Sequence, residues 1–139
     1  MRRRATSALA ALSRHKWAVG LMESSTRPGP ANLGHHEAVL KRLREAGFSV
    51  ALTAHAYSAL DSYTYGFAQQ LMGLPFDTGE QAGEVAEQIL GKNVAAYFPY
   101  LAEIATQHVM KPGYSYSKEF EFGLDLILDG LSRALEKRN

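Results

Sequence analysis

The 139-residue chain has no cysteine, which removes disulfide frameworks, thiolate metal sites and a cysteine nucleophile together. A reducing, cytoplasmic setting fits that absence. Long apolar runs are missing too: nothing approaches the roughly 18 continuous apolar residues that a membrane span needs. The opening "MRRRATSALAALSRHKW" begins like a signal peptide, but its apolar run is short, alanine-rich and broken by Arg14, His15 and Lys16. Charge of one sign is scarce as well. The net charge is +1 and the basic residues gather at the ends, at Arg2 to Arg4 and at Lys137 and Arg138, so no basic face is laid out for nucleic acid. Arg2, Arg3 and Arg4 read as solvent-facing. Strand-period alternation, internal repeats and low-complexity segments are also lacking.

What is present is helical periodicity. With 46% hydrophobic residues, the chain can bury a core as one domain, residues 1–139. Ala5, Ala8, Leu9 and Leu12 mark a helix over residues 4–14. "TRPGPANLG" then breaks the pattern with Pro28, Gly29 and Pro30. Leu33, Val39, Leu40 and Leu43 stripe a second helix that should end at Gly47, where a cap belongs. A third opens near Ser49 and runs to about Met72, with Leu52, Ala56, Ala59, Leu60, Tyr63, Phe67 and Leu71 along one face. Thr78 and Gln81 match a capping box before a helix through Val85, Ile89 and Leu90, closed by Gly91. Pro99 suits a helix start. The last helix, residues 117–137, carries Phe120, Leu124, Ile127, Leu128, Leu131 and Leu135 at spacings of three and four, with Phe122 and Leu126 off that stripe. The expected fold is all-α, with six or seven helices.

Chemistry is thinly signalled. His35 and His36 are adjacent, so on a helix they diverge by about 100° and cannot chelate together. His55 and His108 belong to no metal-binding spacing. No G-x-S-x-G surrounds a serine. Asp61, alone among apolar neighbours in the third helix, reads as a hydrogen-bonded polar group before it reads as a catalyst. The aromatic residues are the stronger signal. Trp17, Tyr57, Tyr63, Tyr65, Phe67, Tyr97, Phe98 and Tyr100, with Met22 and Met72, all precede the last helix. Large side chains with one polar tip suit an apolar cavity that orients a small ligand.

"RLREAGFSVALTAHAYSALDSYTYGFA", then "YFPYLAEIA", then "FEFGLDLILDGL" together resemble the C-terminal domain of TetR-type transcriptional regulators, over nearly the whole chain. "RHKW" stands where that family often has Arg-His-Pro-Trp. The resemblance implies a ligand-sensing domain that homodimerises, two long helices from each subunit forming a four-helix bundle. Residues 49–72 and 117–137 would be those helices, with Phe120, Gly123, Leu124, Ile127, Gly130 and Leu131 at the interface. A small apolar or aromatic effector is expected on Trp17, Met22, His55, Tyr63, Tyr97 and Tyr100. Tetracycline-binding relatives use magnesium with histidine help; no motif here carries that over, so no metal and no cofactor are expected. Family members carry a helix-turn-helix domain of about fifty residues before this one. None is read here, so DNA enters only through a longer parent. Alternatives are a freestanding ligand-binding dimer, a dominant-negative partner of full-length regulators, or a small helical enzyme using Asp61 or His55.

Overall fold

The computed structural model describes residues 1–18, 20, 29–76, 79–90 and 94–137, and every regular element among them is helical. In chain order these are α1 (Arg2–Arg14), α2 (Pro30–Glu45), α3 (Val50–Gly73), α4 (Gly79–Leu90), α5 (Val94–Tyr97), α6 (Pro99–Ile104), a π-helical turn (Ala105–Val109), a 3-10 turn (Tyr116–Lys118) and α7 (Glu119–Glu136). The expected all-α class holds. The chain packs as two compact units, residues 1–72 with 123–139, and residues 73–122, where sequence patterning suggests a single body.

In the first unit, α2 ends in a Schellman motif. Gly47 takes φ +91°, the Phe48 amide donates to the Leu43 carbonyl at 3.2 Å, and the Gly47 amide donates to the Arg44 carbonyl at 3.0 Å. A positive φ strains any residue with a β-carbon, which is why glycine stands there. The turn delivers Phe48 into a buried cluster with Val39, Leu43 and Ala56, against which Leu52, Tyr57, Leu131 and Leu135 also pack. Ser49 caps α3 by accepting from the Leu52 amide at 3.2 Å.

Along α3 the buried positions are Thr53, Ala56, Leu60, Thr64, Phe67 and Ala68. Ala59, placed in the stripe by periodicity, is exposed. Two threonines take places that hydropathy assigns to apolar residues; Thr64 does so by donating its hydroxyl to the Leu60 carbonyl at 2.7 Å. The solvent-facing reading holds for Arg2 and Arg3, both exposed, and needs correction for Arg4. Arg2 pairs with Asp125, and Arg4 pairs with Asp61 at 2.8 Å, their side chains 19% and 17% exposed. A charge four residues into a chain looks solvated until a partner 57 residues away is known.

In the second unit, Pro99 opens α6 at a position whose amide would have no intrahelical acceptor. The π-helical turn follows, its wide ring closed by the Met110 amide donating to the Ala105 carbonyl at 2.8 Å. Thr78 and Gly91, expected at the ends of α4, lie outside the described residues.

Candidate functional site

Two glycines one turn apart on α4 border an apolar pocket of the second unit. A β-carbon on Gly79 would stand 2.7 Å from the Val109 carbonyl oxygen and 2.9 Å from that of Lys111; one on Gly83 would stand 3.2 Å from Met110 Cε. At Gly79 any β-carbon would run into those two backbone oxygens, so glycine there lets the end of the π-helical turn settle this closely on α4. What remains open beside that contact is a pocket of about 290 Å³. Phe76, Ala82, Val85 and Ala86 form one wall, and Leu101, Ile104, Ala105, Val109 and Met110 form the other.

No side chain in this lining carries a hydrogen-bonding oxygen or nitrogen; Met110 supplies a polarizable thioether. The pocket can therefore hold apolar matter by dispersion and by exclusion of water, and can orient it by shape alone. An enclosed apolar cavity of about 150 Å³ stays dry and takes up benzene; this one is larger and open on one side. Leu101 and Ile104 are mostly exposed at its rim, so a ligand seated there would cover apolar surface that now meets water.

Nearby polar groups of the same unit are engaged with one another. His108 Nε2 lies 2.7 Å from Glu119 Oε1, and Lys118 donates to the Gly113 carbonyl at 2.8 Å. Burial, and then the negative charge of Glu119, push the Tyr114 phenol up from its ordinary value.

Neither Tyr97 nor Tyr100, the expected ligand residues that belong to this unit, is among the residues lining this pocket. Trp17, Tyr97 and Tyr100 are exposed, the last two at 78% and 79%. His55 is exposed and Tyr63 half-buried; Met22 lies outside the described residues. The expected interface residues divide. Phe120 and Leu124 are 1% and 0% exposed within the single chain, and Leu131 packs on the chain's own cluster. Ile127 and Gly123 are half-buried, and Gly130 is exposed. Phe122 and Leu126, one turn apart on α7 and off the buried stripe, are the large apolar residues left exposed there. The signal that could have found the pocket is modest. Gly79 and Gly83 share an α4 face, and Leu101, Ile104 and Ala105 form an i, i+3, i+4 set after Pro99.

Asp61 has its carboxylate paired with Arg4. Among the described residues no group of three or more histidine or carboxylate side chains could hold a metal ion, and no helix is long and apolar enough to cross a membrane.

Residues 1–135 match the family model of the tetracyclin repressor-like C-terminal domain. The chain belongs to this TetR family. The match runs through both compact units. A curated relative, the tetracycline repressor protein class A from transposon 1721 of Escherichia coli, is 29% identical over 119 residues, covering 85% of this chain and 50% of the relative. The chain thus spans about half the length of that curated relative. No solved structure matches it significantly. The TetR family is one of transcriptional regulators and not a class of enzymes, and in such regulators this domain binds effectors and dimerises.

Proposed function

We propose that this chain is the effector-binding and homodimerising part of a cytoplasmic TetR-type regulator, a repressor in the manner of its tetracycline-repressor relative, and that its effector is a small apolar or aromatic molecule. The observation that carries the effector reading is the pocket of about 290 Å³ between α4 and the π-helical turn, whose lining is entirely apolar. Tetracycline, a polar molecule, is a poor match to that lining, so the kinship in sequence extends to the domain and not to the ligand. DNA binding belongs to the parent, where effector and operator affinities would be coupled through linkage.

Dimerisation falls on the face of α7 that carries Phe122, Leu126 and Gly130. Phe122 and Leu126 expose apolar surface, and a β-carbon on Gly130 would meet nothing within 4 Å, leaving room for a second backbone. This moves the interface away from Phe120 and Leu124, which have no surface left to share.

Two measurements test the reading. Native mass spectrometry should give twice 15.3 kDa; a clean monomer at micromolar concentration removes the dimer. Titration with N-phenyl-1-naphthylamine, a neutral apolar fluorophore, should show saturable binding that Ala86→Trp abolishes by filling the pocket. Binding unaffected by Ala86→Trp removes the pocket from the proposal.

A further inference from the structure

A second pocket, in the first unit and of opposite chemistry, lies between α1 and α2. It measures about 460 Å³, and its lining includes Arg3, Arg4, Ser7, His35, Val39 and Arg42. The spacing explains the convergence. Arg3 and Ser7 are one turn apart on α1; His35, Val39 and Arg42 follow at four and three on α2, and so share a face.

Arg4 is the fixed member. Its guanidinium donates to Asp61 Oδ1 at 2.8 Å, its Nε lies 3.4 Å from His35 Nε2, and its Cζ stands 5.9 Å from the centroid of the Tyr57 ring. Asp61 balances the charge of Arg4, so the surplus comes from the two exposed arginines, Arg3 and Arg42. Two other cations of this unit have acidic partners: Arg2 has Asp125 and Lys41 has Glu45. Among the described residues neither Arg3 nor Arg42 has an acidic partner, and no Asp or Glu lines the pocket. Two unbalanced guanidinium groups facing one concave space, with low-dielectric walls to focus their field, favour a counter-charge inside it. Guanidinium forks match the two oxygens of a carboxylate or phosphate. Val39, only 4% exposed, and Ala38 add an apolar wall for the rest of such a molecule.

We propose that the α1–α2 pocket is a binding site for a small organic oxyanion, a carboxylate or phosphate ester, held by Arg3 and Arg42, with Ser7 and His35 as further hydrogen-bonding partners. This site is separate from the apolar pocket of the second unit and does not depend on it. An anion bound there bridges α1 to α2 and stabilises the folded first unit by an amount that rises with the logarithm of its concentration once the site is filled.

The test titrates the full chain with phenyl phosphate and, separately, with inorganic phosphate, at constant ionic strength set by sodium chloride, by amide-resolved NMR and calorimetry. Phenyl phosphate should bind saturably and more tightly than inorganic phosphate, shifting the amides of Ser7, Val39 and Arg42. Arg3→Ala and Arg42→Ala, both at exposed positions, should each weaken binding about tenfold, the worth of one charged hydrogen bond, while circular dichroism stays unchanged. Lys16→Ala and Ala86→Trp should leave the affinity as it was. Absence of saturation at millimolar ligand overturns the proposal. So does an equal loss in Lys16→Ala, which would mean diffuse attraction, or a loss in Ala86→Trp, which would place the ligand in the other pocket.

Discussion

The ring of Tyr63 on α3 occupies the space that a side chain at Gly123 on α7 would need: a β-carbon there would stand 2.7 Å from Tyr63 Cζ and nearer still to the hydroxyl oxygen. The glycine that looks like a subunit contact in sequence thus serves a contact inside one chain. Gly123→Ala should cost about 1–3 kcal/mol by overpacking, read as a lower midpoint in urea. In a Tyr63→Leu background the same change should be neutral or favourable, because alanine exceeds glycine by about 1 kcal/mol in a helix interior. Equal costs in the two backgrounds would dissociate Gly123 from Tyr63.

Thr53 is 4% exposed, and its hydroxyl has no hydrogen-bond partner among the described residues. A buried hydroxyl without a partner forfeits its hydration and gains nothing in return. Thr53→Val keeps the branched shape and removes that defect, so a gain of about 1 kcal/mol is expected. A loss on thermal unfolding would mean that the hydroxyl is satisfied, for instance by a buried water.

Local rules made some of these elements legible and left others hidden. The end of α2 could be read because only glycine takes positive φ without strain, and the start of α6 because proline lacks the amide that a first turn does not use. The apolar pocket was only faintly legible. It depends on a π-helical turn, which has no composition signature, and on Gly79 and Gly83, whose service to a distant backbone is invisible in periodicity. The aromatic residues misdirect for a related reason. Tyr97 and Tyr100 flank the break at Phe98–Pro99, where each helix is too short for spacing to fix a buried side. Arg4 and Asp61 show the same limit for charge, since periodicity cannot pair two helices.

Phe122 and Leu126 supply the test of dimerisation that Gly123 cannot. Leu126→Glu places a charge on a surface 57% exposed in the single chain, so the fold should tolerate it. An apolar interface should not, because the carboxylate would be buried without a partner. Sedimentation equilibrium should report monomers with an unchanged helical spectrum. A dimer that survives Leu126→Glu would place the interface elsewhere.

The Arg4–Asp61 pair should be more important to break than to replace. Removing only the carboxylate, as Asp61→Ala, strands a guanidinium that is four-fifths buried, at an expected cost of about 2–3 kcal/mol. The paired exchange Arg4→Met with Asp61→Leu should cost much less, since apolar groups of similar volume need no partner. If the single and double variants are equally destabilised in denaturant, the charge is not what Asp61 compensates.

Tyr57 carries the pH dependence of the same network. Burial first, then the nearby Asp61 carboxylate, hold the phenol well above its ordinary value of 10, against the opposing pull of Arg4, and the hydroxyl itself is hydrogen-bonded to His36 Nδ1. Tyr65 is raised for the same first reason and by the same carboxylate. A tyrosine whose pKa is higher folded than unfolded binds its proton more tightly in the native state. Its contribution is complete below pH ~10 and declines as pH rises above that value, where the unfolded chain ionises first. Stability should therefore fall steeply with alkali, and the 295 nm phenolate absorbance of these two residues should appear with unfolding, not before it. Tyr57→Phe, lacking the titrating group, should make that decline shallower. A native-state phenolate signal from Tyr57 near pH 10 would show that the hydroxyl meets water freely, and the hold of burial and of Asp61 on it would have to be abandoned.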